Sequence, residues 1–243
     1  MKLNSETKRK MREMKAEPLL DALLNEDDFN YDLTAEERVT IAVDISHANY
    51  IEHQVNLLKS RAKFRYPNAD VRLIDFDDNR NISRAKIAEY ASCSFIEHGD
   101  NLIIEGFAGT GKTYLACAIG VAACRHLIKS KYIRIPDLKE EFLRAKLKPK
   151  GTYNLKKRYG RYGLLIVDEW MLDNISDDFR AFLLEIFELR YKKCSTILCT
   201  QAKVEDWHVK LGGDTTAEAI IDRIVHNATN IQIGDVNMRK KIK

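Results

Sequence analysis

Apolar residues follow two rhythms along this chain. From residue 101 onward, short aliphatic runs alternate with stretches in which apolar positions recur every three or four residues. The runs cover 101–105, 131–135 (KYIRI), 164–168 (LLIVD), 195–199 (STILC) and 229–233 (TNIQI). Helical spacing covers 112–128, 138–147, 177–192 and 215–227. Strands of near-continuous hydrophobicity separated by helices predict an α/β fold: a parallel five-stranded sheet with helices over both faces.

Upstream, the spacing is helical. Residues 5–25 read as one charged amphipathic helix, bent near Pro18, with Met11, Met14, Leu19, Leu20, Leu23 and Leu24 as its stripe. The acidic turn Glu26-Asp27-Asp28 ends it. Thr34-Ala35-Glu36-Glu37 forms a capping box that opens a second helix running to about Arg65, with room for a break near His47. Pro67 closes this region, and 68–82 is polar around one apolar knot, Leu73-Ile74-Phe76. Ser83 caps a helix reaching about Cys93. The expected organisation is a small all-helical N-terminal domain (1–66), an adapter packing on the core (67–100) and an α/β core (101–243).

The first strand of the core runs into Gly106-Phe107-Ala108-Gly109-Thr110-Gly111-Lys112-Thr113, with Tyr114 following. This is the spacing G-x-x-x-x-G-K-[ST]. The glycines permit positive φ and let backbone N–H groups approach an anion. A helix starting at Lys112 adds its free N–H groups and positive dipole end. Lys112 is expected on the β- and γ-phosphates of ATP, and the Thr113 hydroxyl on Mg²⁺.

A second signal lies in Leu164-Leu165-Ile166-Val167-Asp168-Glu169, an aliphatic strand ending in two acids. At the carboxyl edge of a parallel sheet, Asp168 is placed to hold the metal and Glu169 to orient the attacking water. The second acid favours hydrolysis over small-molecule phosphorylation. The next strand ends in Thr200-Gln201, either a γ-phosphate contact or a strand-end cap. Asp222-Arg223 falls on the helix at 215–227. Arg223 is read as a γ-phosphate ligand in its own subunit, as an arginine finger in a neighbour's site, or as an intrachain partner of Asp222 or Glu218. Arg190 is a second candidate for the inter-subunit role.

Net charge is modest, +4 from 40 basic and 36 acidic residues, so bulk charge announces no partner. Five cysteines form no C-x-x-C pair and lie mostly in apolar runs, which points to reduced, buried thiols and a cytoplasmic setting. The histidines show no metal spacing, residues 1–17 are too charged for a secretory leader, and no apolar run approaches membrane length.

Charge distribution says more than the total. Arg144–Arg161 carries eight basic residues and no acid, among them Lys148, Lys150, Lys156, Lys157, Arg158 and Arg161. Lys59, Arg61, Lys63 and Arg65 crowd the end of the second N-terminal helix. Each cluster is either solvated surface or a contact to DNA phosphates, with Tyr153, Tyr159 and Tyr162 stacking on sugars or packing inward.

The order GFAGTGKTYLACAIG, LLIVDE, STILCTQ, Trp207–Ala228 and the MRKK ending resembles the IstB-like transposition helper ATPases, AAA+ proteins related to the DnaC and DnaI helicase loaders. The resemblance covers residue 70 to the C-terminus and is looser over the N-terminal helices. It implies an AAA+ ATPase that forms a homo-oligomer with ATP on duplex DNA, deforms it, and recruits a cognate DDE transposase. It carries over Lys112 and Thr113 as nucleotide ligands, Asp168 and Glu169 as metal and water residues, and Arg223 as the arginine near the γ-phosphate. The ending here, Gly234-Asp235-Val236-Asn237-Met238-Arg239, departs from the family's Gly-x-Ser-Met-Arg. The rival readings are a helicase loader, an architectural DNA clamp with incidental turnover, and a small-molecule kinase.

Overall fold

The computed structural model describes residues 3–24, 33–76, 80–172 and 175–238. The acidic turn Glu26-Asp27-Asp28 and the tail residue Arg239 lie outside them. Two compact units divide the chain, Met1–Leu57 and Leu58–Lys243.

The first unit is helical. α1 (Ser5–Glu13) is capped by Asn4, whose side chain accepts from the Thr7 N–H at 2.7 Å. α2 (Glu17–Leu24) is a separate helix, with Lys15 at φ 58° between them. The expected single helix is broken because Pro18 has no N–H and its ring excludes a helical turn before it. α3 (Ala35–Ala62) starts on the expected capping box: Thr34 Oγ1 accepts from Glu37 N–H at 3.3 Å, and Glu37 Oε2 accepts from Thr34 N–H at 2.8 Å. It is unbroken at His47 and stops at Ala62, where Lys63 takes φ 55°.

In the second unit, a short 3₁₀ turn at Val71–Leu73 and the helices α4 (Arg84–Ala91) and α5 (Ser94–Glu97) lead to β1 (Asn101–Glu105). Then come α6 (Lys112–Arg125), β2 (Ser130–Arg134), α7 (Ile135–Lys146), α8 (Gly151–Gly160) and β3 (Leu164–Trp170). The chain continues through α9 (Asp177–Arg190), β4 (Ser195–Thr200), α10 (Trp207–Lys210), α11 (Thr215–Val225) and β5 (Ala228–Gln232). The five strands pair in parallel in the order β2-β3-β4-β1-β5, as expected of a P-loop α/β core.

Successive side chains of a strand face opposite ways, and both faces are buried. Leu102, Ile104, Ile166 and Ile197 pack under α6 with Ile74, Ile87 and Tyr90 of the adapter. Ile103, Leu165, Val167 and Leu198 pack on the other face with Phe142, Phe179, Leu183, Trp207 and Ile220. The adapter is therefore part of the core on the α6 face. All five cysteines are free, and burial pushes the thiols of Cys93, Cys117 and Cys124 up to about 11, which keeps them protonated packing groups. Among the described residues no helix is long and apolar enough to cross a membrane.

Candidate nucleotide-binding site

β1, β3 and β4 all end at one edge of the sheet, and a pocket of about 450 Å³ opens there. Lys112, Thr113, Asp168, Glu169, Thr200 and Gln201 all line it. The phosphate loop leaves β1 at Gly106 and enters α6 through Gly111, whose φ of 94° suits glycine. Each loop glycine also makes room for a neighbour. A Cβ on Gly109 would lie 2.6 Å from Asn237 Oδ1, and one on Gly111 would lie 3.0 Å from an Arg80 guanidinium nitrogen.

Lys112 donates to the carbonyl oxygens of Gly106 and Phe107 at 2.6 and 2.8 Å, so its ammonium is folded back over the loop where phosphates would lie. Thr113 donates to Asp168 Oδ2 at 2.8 Å, and Tyr132 of β2 donates to the same oxygen at 2.8 Å. Asp168 Oδ1 accepts from the Glu169 N–H at 2.9 Å. Burial, then the adjacent Asp168 charge, raises the Tyr132 phenol, so it remains a donor. Asp168 is 3% exposed, and these bonds are what make a buried carboxylate tolerable.

Glu169 is set by a bulge. β3 and β4 are in register at Val167↔Leu198 but resume at Trp170↔Thr200, and Glu169 takes φ 59°. That left-handed conformation, unusual for a side chain with a Cβ, turns the carboxylate out of the ladder toward the pocket. Arg134 Nη1 lies 3.8 Å from Glu169 Oε1 while holding Asp137 bidentately at 2.7 and 2.8 Å.

The two residues at the end of β4 separate. Thr200 is 1% exposed; its hydroxyl lies 3.0 and 3.1 Å from the Trp170 and Ala202 carbonyl oxygens and accepts from Ala202 N–H at 3.0 Å. That is the strand-end cap. Gln201 is exposed at the pocket wall.

The three arginines singled out in the sequence sit in different surroundings. Arg190 is 2% exposed and donates to Tyr159 O, Tyr162 O, Ser195 O and Thr196 Oγ1. It is a buried brace that ties α8 and the turn after it to β4. Arg223 pairs with Glu188 at 2.7 Å and Asp222 at 3.1 Å. It sits near the end of α11, which feeds β5 at the amino edge of the sheet, so its own phosphate loop is at the opposite edge. Arg65, expected on DNA, lines the nucleotide pocket. Burial works against its charge, but the nearby Tyr132 and Tyr66 hydroxyls and the Asp168 carboxylate outweigh that and raise the guanidinium above its ordinary value.

In the basic hairpin, Lys156 pairs with Glu185, Arg158 with Glu141, Lys146 with Asp178 and Arg144 with Glu140. Tyr159 packs inward, fully buried, and donates to Glu141 at 3.0 Å; Tyr162 also packs against the core. Lys148, Lys150 and Arg161 are exposed with no carboxylate partner among the described residues, and Lys157 lies over the exposed Tyr153 ring. Lys59 is half-buried, while Arg61 and Lys63 are exposed.

Sequence reasoning missed the adapter's part in the pocket. Leu73, Ile74, Asp75 and Arg80 line it, as do Tyr66 just before the adapter and Met238 from the C-terminal segment. Arg80 donates to Thr110 O of the phosphate loop at 3.1 Å, and Met238 N–H to Gly109 O at 2.9 Å. The signal was the knot Leu73-Ile74-Phe76: apolar residues in so polar a stretch need a surface, and a purine base offers one as readily as the core does.

Among the described residues no group of three or more His, Cys, Asp or Glu side chains could hold a metal. A hydroxyl and a carboxylate in contact, Thr113 and Asp168, suit a hard cation such as Mg²⁺ that keeps waters and shares phosphate oxygens.

A parallel sheet, a glycine-lined anion cradle at its carboxyl edge and a paired hydroxyl and carboxylate define a P-loop nucleotide-binding domain. The chain belongs to the IstB-like ATP binding protein family, whose model matches residues 8–243. It is 38% identical over 168 residues to the insertion sequence ATP-binding protein y4pL of Sinorhizobium fredii, covering 69% of this chain and 68% of that one. It is 32% identical over 188 residues to the insertion sequence IS232 ATP-binding protein of Bacillus thuringiensis, covering 76% and 75%. Its fold is similar to that of a DnaC helicase loader, with a TM-score of 0.57 at 23% identity, over 70% of this chain and 98% of that one.

Proposed function

We propose that this protein hydrolyses ATP and uses the cycle to assemble on and leave duplex DNA, which it deforms while recruiting a DDE transposase to the chosen target. The observation that carries the hydrolytic half is Glu169, turned by a β-bulge out of β3 and into the pocket beside Asp168. Lys112 would exchange the neutral loop carbonyls for the β- and γ-phosphates, a stronger, charge-assisted partnership. Thr113 and Asp168 would hold Mg²⁺, which neutralises charge on the phosphate oxygens. Glu169, with Arg134 steadying it, would orient the water, and Gln201 would face the γ-phosphate. The apolar wall of Tyr66, Leu73, Ile74 and Met238 fits the base.

The transposition half draws its support from the family and from relatives named for insertion sequences. We assign residues 1–66 to DNA binding and assembly, 67–100 to the adapter and 101–243 to the ATPase core. The unpaired cations of the hairpin tip, with Lys59, Arg61 and Lys63, are the candidate phosphate contacts. Arg223, partly exposed and held by Glu188 and Asp222, would act in trans, leaving those carboxylates for a neighbour's phosphate.

Glu169→Gln tests the cycle. It should bind ATP as wild type does, lose at least about a hundredfold in phosphate release, and accumulate as oligomers on duplex DNA. A Glu169→Gln protein that turns over normally, or assembles no better than wild type, would refute the proposal. A replicative helicase rather than a transposase co-purifying with the protein would move the reading to helicase loading.

A further inference from the structure

Asp168 is held by more than the Thr113 contact that the motif foretells. Its carboxylate takes three donors: Thr113 and Tyr132 on Oδ2, and the Glu169 N–H on Oδ1. A carboxylate has about four lone-pair sites, so one remains, on Oδ1. The Tyr132 hydroxyl is thus a second anchor on the oxygen that Thr113 also touches. It comes from the neighbouring strand, where Tyr132 is in register with Ile166, two residues before Asp168.

Arg65 lines the same pocket as Asp168, and its placement is built. α3 ends at the fully buried Ala62, and Lys63 turns the chain with φ 55°. Phe64, 6% exposed, lies on α6 at Gly120, where a Cβ would meet its ring at 2.5 Å. Any larger residue at 120 would push Phe64 off the helix. Beyond Arg65 the Tyr66 ring lies 5.8 Å from that of Tyr114. With Phe64 and Tyr66 both packed on α6, Arg65 is left lining the pocket that Asp168 also lines.

We infer that Tyr132 and Arg65 are positioning residues for the metal-binding carboxylate: the Tyr132 hydroxyl fixes the rotation of Asp168, and Arg65, lining the same pocket, balances the buried charge. This rests on the reading that Asp168 and Thr113 hold Mg²⁺ with ATP. It also moves Arg65 from the DNA surface to the nucleotide site.

The test uses Mn²⁺ as a spin probe for the metal and a fluorescent, non-hydrolysable ATP analogue for the nucleotide. Tyr132→Phe keeps the ring and removes the hydroxyl. Analogue affinity without metal should stay at the wild-type value, while the Mn²⁺ concentration for half-saturation rises about fivefold, the worth of one hydrogen bond. Arg65→Ala should shift Mn²⁺ in the same direction, and the double variant should fall short of the product of the two effects, because both act through one carboxylate. Unchanged Mn²⁺ binding in Tyr132→Phe overturns the proposal, as does full multiplicativity in the double variant. Arg65→Ala that spares Mn²⁺ but weakens duplex binding by the nucleotide-free protein returns Arg65 to the DNA surface and overturns its part. If the wild type itself gains no analogue affinity from Mn²⁺, the magnesium reading has failed first, which the wild-type titration reveals by itself.

Discussion

The phosphate loop and the α7–α8 hairpin both concentrate positive charge, and they handle it in opposite ways. Lys112 is 9% exposed and donates to two neutral carbonyls of its own loop, partners that an incoming anion readily outcompetes. Lys146, Lys156 and Arg158 are met by full carboxylates, Asp178 and Glu185 of α9 and Glu141 of α7. Half of the cations in a run with no acid of its own are thus met by acids from elsewhere in the chain. What remains available is the tip, Lys148 and Lys150, with Arg161 at the base. Local charge in a sequence marks where cations are, while the fold decides which of them face an anion.

The largest effect that would sharpen this contrast is at the loop. Lys112→Ala should weaken ATP binding about a hundredfold, read by titration with a fluorescent analogue, while the unfolding temperature without nucleotide holds. Near-normal binding would mean that the loop carbonyls, and not a phosphate, are the proper partners of the ammonium.

Next comes the brace at the hairpin's base. Arg190→Met should cost about 3 kcal/mol in urea unfolding, because several buried acceptors on α8, β4 and the turn after α8 lose their donor together. A loss under about 1 kcal/mol would show those acceptors finding other partners, and would reopen Arg190 as a mobile residue.

The smallest effects lie at the hairpin surface. Removing Lys148 and Lys150 together should reduce the slope of log affinity for duplex DNA against log salt by about 2, one unit for each phosphate contact. Removing the paired Lys156 and Arg158 should change that slope less, and each should alter stability by under about 1 kcal/mol. A larger slope change for the paired residues would mean that these ion pairs open on DNA, and the contrast between tip and flank would fall.

Legibility followed the range of the interactions. The strand–loop–helix of 101–125 was readable because every requirement is local: an apolar strand, glycines at the turn, a lysine and threonine at the helix start. The capping box at Thr34 and Glu37 was equally readable for the same reason. The division at Pro18 was underread, since a bend and a break differ only in whether the preceding turn is hydrogen bonded. The bulge at Glu169 had no local sign. It depends on β3 losing step with β4, and register between strands is settled by packing across the sheet. Arg190 carried the same residue type as an arginine finger, and only the closure of α8 and β4 around it separates the two.

By itself the sequence determined the class of fold, the anion cradle, and the identities of the hydroxyl and carboxylate that meet at 2.8 Å, because hydrophobic periodicity and short-range backbone chemistry suffice for those. Tertiary structure alone decided which cations stay unpaired, that the adapter and Met238 wall the pocket, and that Arg65 lines the pocket with Asp168. Each of these joins residues tens of positions apart, and side chains so separated meet only where the sheet order and the helices packed on it bring them.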